Sequence, residues 1–589
     1  MRRPAVLLAA MAVLLALGGC VSLPESGAVR AAPVREHVED DGTLDYTPGG
    51  PKQGATPGTI VEGFLVAMTA TPVNTSVARQ YLTDASSRSW VPEQGTIVYG
   101  TKQVGPGTGR ISVDLGDTVQ LDGRGEWLGD PTHGQGVRLR LHLVREAGEW
   151  RISDPPNALI VPTVHFASTF TQYFLYFFDK SSQVLVPEPV YVPRGAQAPT
   201  VLVSGLLRGP DRALLGVERT FFPARTKLDD LSVPVSRDGT AQVPLTDEVL
   251  DLDTDGLNLM FAQLAWTLGQ IPGVERLRIT VDGSPLDLPG EGADVPVGAW
   301  TEYDPAVAWA SQSLFGLRDG RVSAVVDGAE RRVSGLFGGA DLAISSFGVD
   351  LPAENIAAVT DGGTRVKVAA RNRTPGTQPG LADATTVYQG YDVRRPVYDL
   401  NGQLWLLDRT RRGARILVVR NGIAREVDAP GITGTRVTAF AVSRDGTRLI
   451  AGVRGTGTDH LVLARVQREP DGRVRGVTPA VPLDLGVAAN EPIRDLAWRT
   501  PGTIAVLTGP APTSSQVVVV PVDGSTAPGD LVTDAEPFQD RAVSVVTAPT
   551  LGAPLYVGTP TGQLFSLAAT GRWTTAGIDP GFRAAAFVG

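Results

Sequence analysis

Apolar and polar positions change their period several times along the chain, and each change marks a different kind of element. Ala5 to Leu17 is an unbroken uncharged apolar run behind Arg2 and Arg3. Its 13 residues would reach about 20 Å as a helix, short of the ~30 Å hydrocarbon core, so it predicts a signal-peptide core rather than a membrane span. Val21 to Thr56 keeps no apolar period and holds Pro24, Pro33, Pro48, Pro51 and the acidic Glu39-Asp40-Asp41, the pattern of a flexible or polyproline-like spacer. From Pro57 the period becomes helical, with Thr59 as a plausible N-cap and Ile60, Phe64, Ala67 and Met68 on one face. A second helical stretch is predicted over Ser76 to Leu82. Thr96 to Tyr99, Ile111 to Leu115 and Val137 to Val144 alternate as strands, and Ala147-Gly148 turns the last of these back through Trp150. Phe166, Phe170, Tyr173, Phe174 and Phe177 fall at i, i+4, i+7, i+8 and i+11, which predicts a helix whose aromatic stripe faces the core or a domain interface rather than a membrane.

Beyond Pro189 the pattern is strand (Val190 to Arg194), short helix (Thr200 to Leu207, stopped by Arg208-Gly209-Pro210) and strand (Ala241 to Leu245) after the Asp238-Gly239 turn. A long helix over Leu257 to Gln270 and a final strand from Val274 to Val281 follow. After Trp300 short β-rich runs recur, folded about Asp319-Gly320, Asp361-Gly362, Asp445-Gly446 and Pro501-Gly502. Runs of the form Gly-Gln-Leu-aromatic lie between them, at Gly402 to Leu407 and Gly562 to Leu567. Such alternation is the mark of β-propeller blades. At 40–45 residues per blade the length allows about six or seven, and the Phe582 to Val588 run is placed to complete the first blade and close the ring.

Composition sharpens this reading. Gly 68 and Pro 45 in 589 residues, without a collagen-like period, indicate many tight turns. Only five of the 53 basic residues are lysines (Lys52, Lys102, Lys180, Lys227 and Lys367), a bias of GC-rich coding rather than of chemistry. The net charge of −9 with no long basic run argues against nucleic acid. Cys20 is the only thiol, so no intrachain disulfide can form.

Leu17-Gly18-Gly19-Cys20 resembles a bacterial lipobox. The resemblance implies cleavage following Gly19 and a Cys20 carrying S-diacylglycerol and N-palmitoyl groups. Two buried acyl chains anchor stably where one does not. Loss of Arg2 and Arg3 makes the mature chain more acidic by two charges, so its body would stand off anionic lipid on the spacer.

Catalytic patterns are scarce. His37, His133, His142, His165 and His460 lie outside metal-ligand spacing of one another. No His-Glu-x-x-His, Cys-x-x-Cys, Gly-x-x-x-x-Gly-Lys or Gly-x-Ser-x-Gly occurs. Asp251-Leu252-Asp253-Thr254-Asp255-Gly256 begins like an EF-hand loop, yet Leu259 and Ala262 stand where further ligands are needed. An acidic turn at a helix N-terminus is the better reading. Gly105-Pro106-Gly107-Thr108-Gly109 has no following lysine and reads as a loop, and the Asp-Gly pairs as hairpin turns. The expectation is a protein without catalytic, metal-binding or cofactor-binding residues.

The helices and curved meander ending in Gly148-Glu149-Trp150-Arg151-Ile152 resemble α+β cystatin-like sheets of the nuclear-transport-factor-2 type. Leu206 to Pro210, Ala262 to Leu268 and Val281-Asp282-Gly283 resemble characteristic stretches of the α+β GerMN module. The expected plan is a multidomain chain: signal peptide 1–19, tether 20–56, cystatin-like domain 57–188, GerMN-like domain 189–298 and all-β propeller 299–589. In that order and length the chain resembles the actinobacterial LpqB lipoproteins. That resemblance implies a lipid-anchored protein on the extracytoplasmic face of the cell membrane, touching the extracellular domain of an MtrB-type sensor kinase and modulating phosphorylation of an MtrA-type regulator. Cell division and envelope homeostasis would respond. The alternative is a cell-wall-binding or assembly lipoprotein without direct kinase contact.

Overall fold

A computed structural model describes residues 45–129, 134–326, 328–371, 383–488, 491–525 and 535–589. The signal peptide, Cys20 and most of the tether lie outside the described residues.

The first helix runs Pro57–Ala67. Its cap is Thr56 rather than Thr59: the Thr56 hydroxyl accepts from Thr59 N at 3.3 Å, and Pro57 takes the first helical position, where its missing N–H costs nothing. Ile60, Val61, Phe64 and Leu65 are fully buried, and each such side chain contributes about 1.5–3 kcal/mol. They pack on two four-stranded sheets. One pairs Trp127–Gly129, Val119–Asp122, Gly95–Tyr99 and Leu159–Pro162 in that order, and the other Thr101–Val104, Arg110–Gly116, Val137–Glu146 and Glu149–Ile152. The second helical stretch is one turn only, Ser76–Arg79.

The aromatic run departs from expectation. Only Thr163–Thr169 is helical, and Phe170–Asp179 is a strand paired over nine positions with Leu185–Pro193. Both faces of this hairpin are covered. The strand is therefore apolar almost throughout, and helical spacing is satisfied within it by accident. A division between 188 and 189 falls inside the second strand of the hairpin. Helices Ala198–Arg208, ended by Gly209 at φ +72°, and Thr254–Leu268 pack with it, beside the parallel pair Thr240–Leu245 and Arg276–Val281. Leu228 and Val235 form only isolated bridges and Leu231 is exposed, so the segment before the Asp238-Gly239 turn is not a strand.

From Leu314 onward the described residues form six antiparallel sheets in sequence. Asp319-Gly320 and Asp361-Gly362 have positive φ at both residues, as tight turns require. Arg583–Ala586 pairs with Leu314–Arg318 of the first sheet, so the ring closes through hydrogen bonds between its two ends. Each inner strand packs on the next, and Ser544–Val546 returns to Arg583–Ala586.

Candidate functional site

The hairpin Phe170–Pro193 is the piece on which the rest converges. In Leu185–Pro193 every residue but the last is buried, including one carboxylate, Glu188. A charge in such a strand is stable only with partners, and the propeller supplies them. Arg465 is bidentate, its Nη1 and Nη2 donating to Oε1 and Oε2 at 2.7 Å each. Arg448 donates through Nη2 to Glu188 Oε1 at 2.8 Å and to the Pro187 carbonyl at 2.5 Å. Arg448 is itself fully buried, and its Nη1 lies 3.6 Å from Asp445 Oδ2.

A second carboxyl, Glu218 at 0% side-chain exposure, faces this group, with Arg465 at 3.9 Å. Burial pushes both carboxyls up. Around Glu188 that effect is outweighed by Arg465 and then Arg448, which hold it below the usual carboxylate range. Glu218 feels the Glu188 charge in addition to burial and is held well above that range. Glu188 is thus the ionised member and Glu218 the protonated one. Beyond them Arg468 donates to Asp399 at 2.6 Å, which also accepts from Trp405 Nε1 at 2.8 Å.

The opposite side of the hairpin meets the N-terminal domain through rings. Tyr191 lies 5.4 Å from Trp127 and 5.5 Å from Phe166 between centroids. Its N–H donates to the Gly125 carbonyl at 2.8 Å. Its hydroxyl donates to Ser525 Oγ of the propeller at 2.7 Å. Beside the rings Arg124 gathers Asp122 at 2.9 Å, Asp211 of the middle domain at 3.2 Å, and Glu126. Burial raises the Glu126 carboxyl to about 7, against the pull of Arg124.

Residues singled out by sequence behave mostly as scaffold. Asp253 caps Thr254–Leu268, its Oδ1 accepting from Gly256 N at 2.8 Å, and Leu259 and Ala262 lie inside that helix. Gly105 to Gly109 joins the strands Thr101–Val104 and Arg110–Gly116. His142 pairs with Asp154 at the surface and accepts from Arg110 Nε at 2.7 Å, His460 is exposed, and burial lowers the pKa of His165. His37 and His133 lie outside the described residues. Among the described residues no three His, Cys, Asp or Glu side chains are grouped to hold a metal. The buried network was missed by sequence reasoning. Its one signal was a lone carboxylate in an otherwise apolar Leu-Val-Pro-Glu-Pro-Val-Tyr-Val strand.

Comparison with known proteins places three family models on this architecture. "Lipoprotein LpqB, N-terminal domain" matches residues 50–167, "Sporulation and spore germination" residues 174–287, and "Lipoprotein LpqB beta-propeller domain" residues 320–576. The two LpqB models together span more than half of the chain. The relative named "Lipoprotein LpqB" in Thermobifida fusca is 27% identical and aligned over 94% of each chain. That of Rhodococcus opacus is 29% identical over 91% of this chain and 89% of its own. Among solved structures, the first GerMN domain of the sporulation protein GerM from Bacillus subtilis matches 21% of this chain and 97% of its own, at 21% identity and a TM-score of 0.18. The middle model begins at 174, within the first strand of the hairpin.

Proposed function

The chain belongs to the LpqB lipoprotein family, and from that premise we propose that it is a non-catalytic accessory of a two-component system. It is held on the extracytoplasmic face of the membrane by acylated Cys20, contacts an MtrB-type sensor kinase ectodomain, and so modulates phosphorylation of an MtrA-type regulator. The observation that carries this reading is mechanical. Both faces of the hairpin Phe170–Pro193 are occupied by buried contacts to neighbouring domains, so the three domains present one rigid surface. A rigid body on a tether meets a membrane neighbour at effective concentrations reaching about mM, without any new contact. It then biases the neighbour only by preferring one of its states, and a tenfold bias needs about 1.4 kcal/mol of differential affinity.

The test pairs two preparations of the full chain in detergent with the isolated kinase ectodomain and with purified cell wall. Saturable binding to the ectodomain and none to the wall is expected, and the reverse would transfer the role to wall recognition. Cys20→Ala is expected to abolish fatty-acid labelling and release the protein from membranes. Retention without label would remove the anchor.

A further inference from the structure

The third and fourth sheets of the propeller leave a surface pocket of about 370 Å³ at one of their ends. Three chain segments wall it. The turn between strands Leu404–Thr410 and Gly413–Arg420 contributes Arg409, Arg411 and Arg412. The approach to strand Val437–Val442 contributes Arg436, and the end of strand Arg448–Arg454 contributes Arg454. Backbone bonds fix the segments against one another. Ala414 N donates to the Thr435 carbonyl, Gly434 N to the Ala414 carbonyl and Arg454 N to the Arg436 carbonyl, each at 2.8 Å. Gly413, at φ +112°, lies so close to Gly434 that a Cβ there would collide with its carbonyl. The arginines are thereby held around one space.

The charge in that space is one-sided and accessible. No carboxylate is among the described residues that line it. Arg411, Arg412, Arg436 and Arg454 are exposed, and Arg409 is half-buried. Arg409 donates to Asp392 Oδ2 at 2.6 and 2.8 Å, and Asp392 is itself shared with Arg394 at 3.6 Å. Arg454 donates to Asp459 at 3.3 Å. Arg411 Nε has only a neutral partner, the Tyr391 hydroxyl at 3.2 Å. The side chains of Arg412 and Arg436 have no hydrogen bond or ion pair among the described residues. Arg411, Arg412 and Arg436 thus stay uncompensated in a chain of net charge −9, and such a pocket concentrates anions.

Its hydrogen-bonding capacity is equally lopsided. A guanidinium carries five N–H donors and no acceptor. The hydroxyls of Thr410, Thr435 and Thr438 in the wall already donate to the carbonyls of Gly413, Ile432 and Gly452. An occupant must therefore be rich in acceptors and in negative charge. Phosphate meets both conditions better than a carboxylate, with three acceptor oxygens, more than one charge and a geometry that guanidinium forks match bidentately. An acidic peptide spreads single charges over separate side chains and brings backbone N–H donors that arginines cannot accept.

We propose that this pocket binds a ligand carrying two or more linked phosphate groups, held by Arg411, Arg412 and Arg436. This inference is independent of the kinase reading.

The test titrates the full chain in non-ionic detergent, at constant ionic strength and without divalent cations. Sodium pyrophosphate, sodium phosphate, adenosine diphosphate and hexaglutamate are compared by calorimetry. Saturable one-to-one binding of pyrophosphate is expected, about tenfold tighter than that of phosphate. Arg412→Ala and Arg436→Ala should each weaken it several-fold, and together about tenfold or more. Arg475→Ala should leave the affinity unchanged. Arg475 is 73% exposed and lies beside the far end of strand Asp459–Arg468, about 30 Å from Asp459. Should one of the two alanine variants fail to fold, the other and the wild-type ratio of pyrophosphate to phosphate affinity decide the matter. Adenosine diphosphate binding as tightly as pyrophosphate would support a site for esterified diphosphate, and weaker binding a site for the free ion. No saturation, equal affinity for phosphate and pyrophosphate, unchanged affinity in the double variant, or hexaglutamate binding as tightly as pyrophosphate would overturn the proposal.

Discussion

The two faces of the central hairpin solve one problem by different physics. Towards the N-terminal domain the contact is mainly a cluster of rings, Trp127, Phe166 and Tyr191, with an ionic group around Arg124 at its edge. Towards the propeller it is a charge network in which Glu188, Glu218 and Arg448 are wholly or nearly enclosed. Apolar packing tolerates small shifts at modest cost. Buried ions do not, because a displaced partner leaves an uncompensated charge. The ring face therefore supplies adhesion, and the ionic face fixes one orientation of the propeller. A body that acts by presenting a surface gains from that second property.

Glu188→Gln breaks the comparison most sharply. It removes the negative charge that Arg448 and Arg465 share and leaves two guanidinium groups facing a neutral amide. Loss of a partner from a buried pair costs about 3–5 kcal/mol. The expected result is a lowered denaturation midpoint and faster proteolysis of the segment joining the middle domain to the propeller. Replacing Glu188 and Arg448 together by leucine and methionine should recover part of the loss, since an apolar pair carries no desolvation penalty. A Glu188→Gln protein as stable as the parent would show that the network does not hold the joint.

That network also marks where reading the chain stops. Turn pairs such as Asp319-Gly320 declare themselves because a backbone with φ above zero admits few residues, and the blades follow from them. Helix Thr254–Leu268 is legible in the spacing of Phe261, Leu264, Ala265 and Leu268, all fully buried. Phe170–Asp179 is not, because a strand covered on both faces loses its period of two, and its aromatic residues fit a helix equally well. Glu188 needs partners some 260 and 277 positions away, and no local pattern specifies which arginines arrive. Arg444 and Trp498 are likewise brought to one cavity by the packing of neighbouring inner strands, which no local pattern announces.

The edge of the ring face is expected to respond to pH. Burial and the neighbouring charges of Glu188, Asp122 and Asp211 raise the Glu126 carboxyl from 4.5 to about 7, with Arg124 opposing. The folded protein therefore binds this proton more tightly than the unfolded chain. Its contribution is fully present below about pH 4.5 and is lost as pH rises towards 7. Glu126→Gln, neutral at every pH, should flatten that part of the stability profile by on the order of 2 kcal/mol. Equilibrium unfolding of both proteins across this range checks it. Parallel profiles would mean that Arg124 keeps Glu126 ionised throughout.

Tyr191 belongs to both faces, so it separates them most finely. Its ring packs with Trp127 and Phe166, and its hydroxyl donates to Ser525 Oγ. Tyr191→Phe keeps the ring and deletes only the bond to the propeller, a loss of about 1 kcal/mol. Tyr191→Ala also removes the ring and should cost about 3–5 kcal/mol, the range for truncating a buried aromatic. If the ring supplies adhesion and the polar contacts orientation, the phenylalanine variant will keep its melting midpoint nearly intact. It will, however, show faster hydrogen exchange in the blade strand Ser514–Pro521, which leads into the Ser525 loop. A phenylalanine variant that loses as much stability as the alanine one would mean that the division of labour between the two faces does not exist.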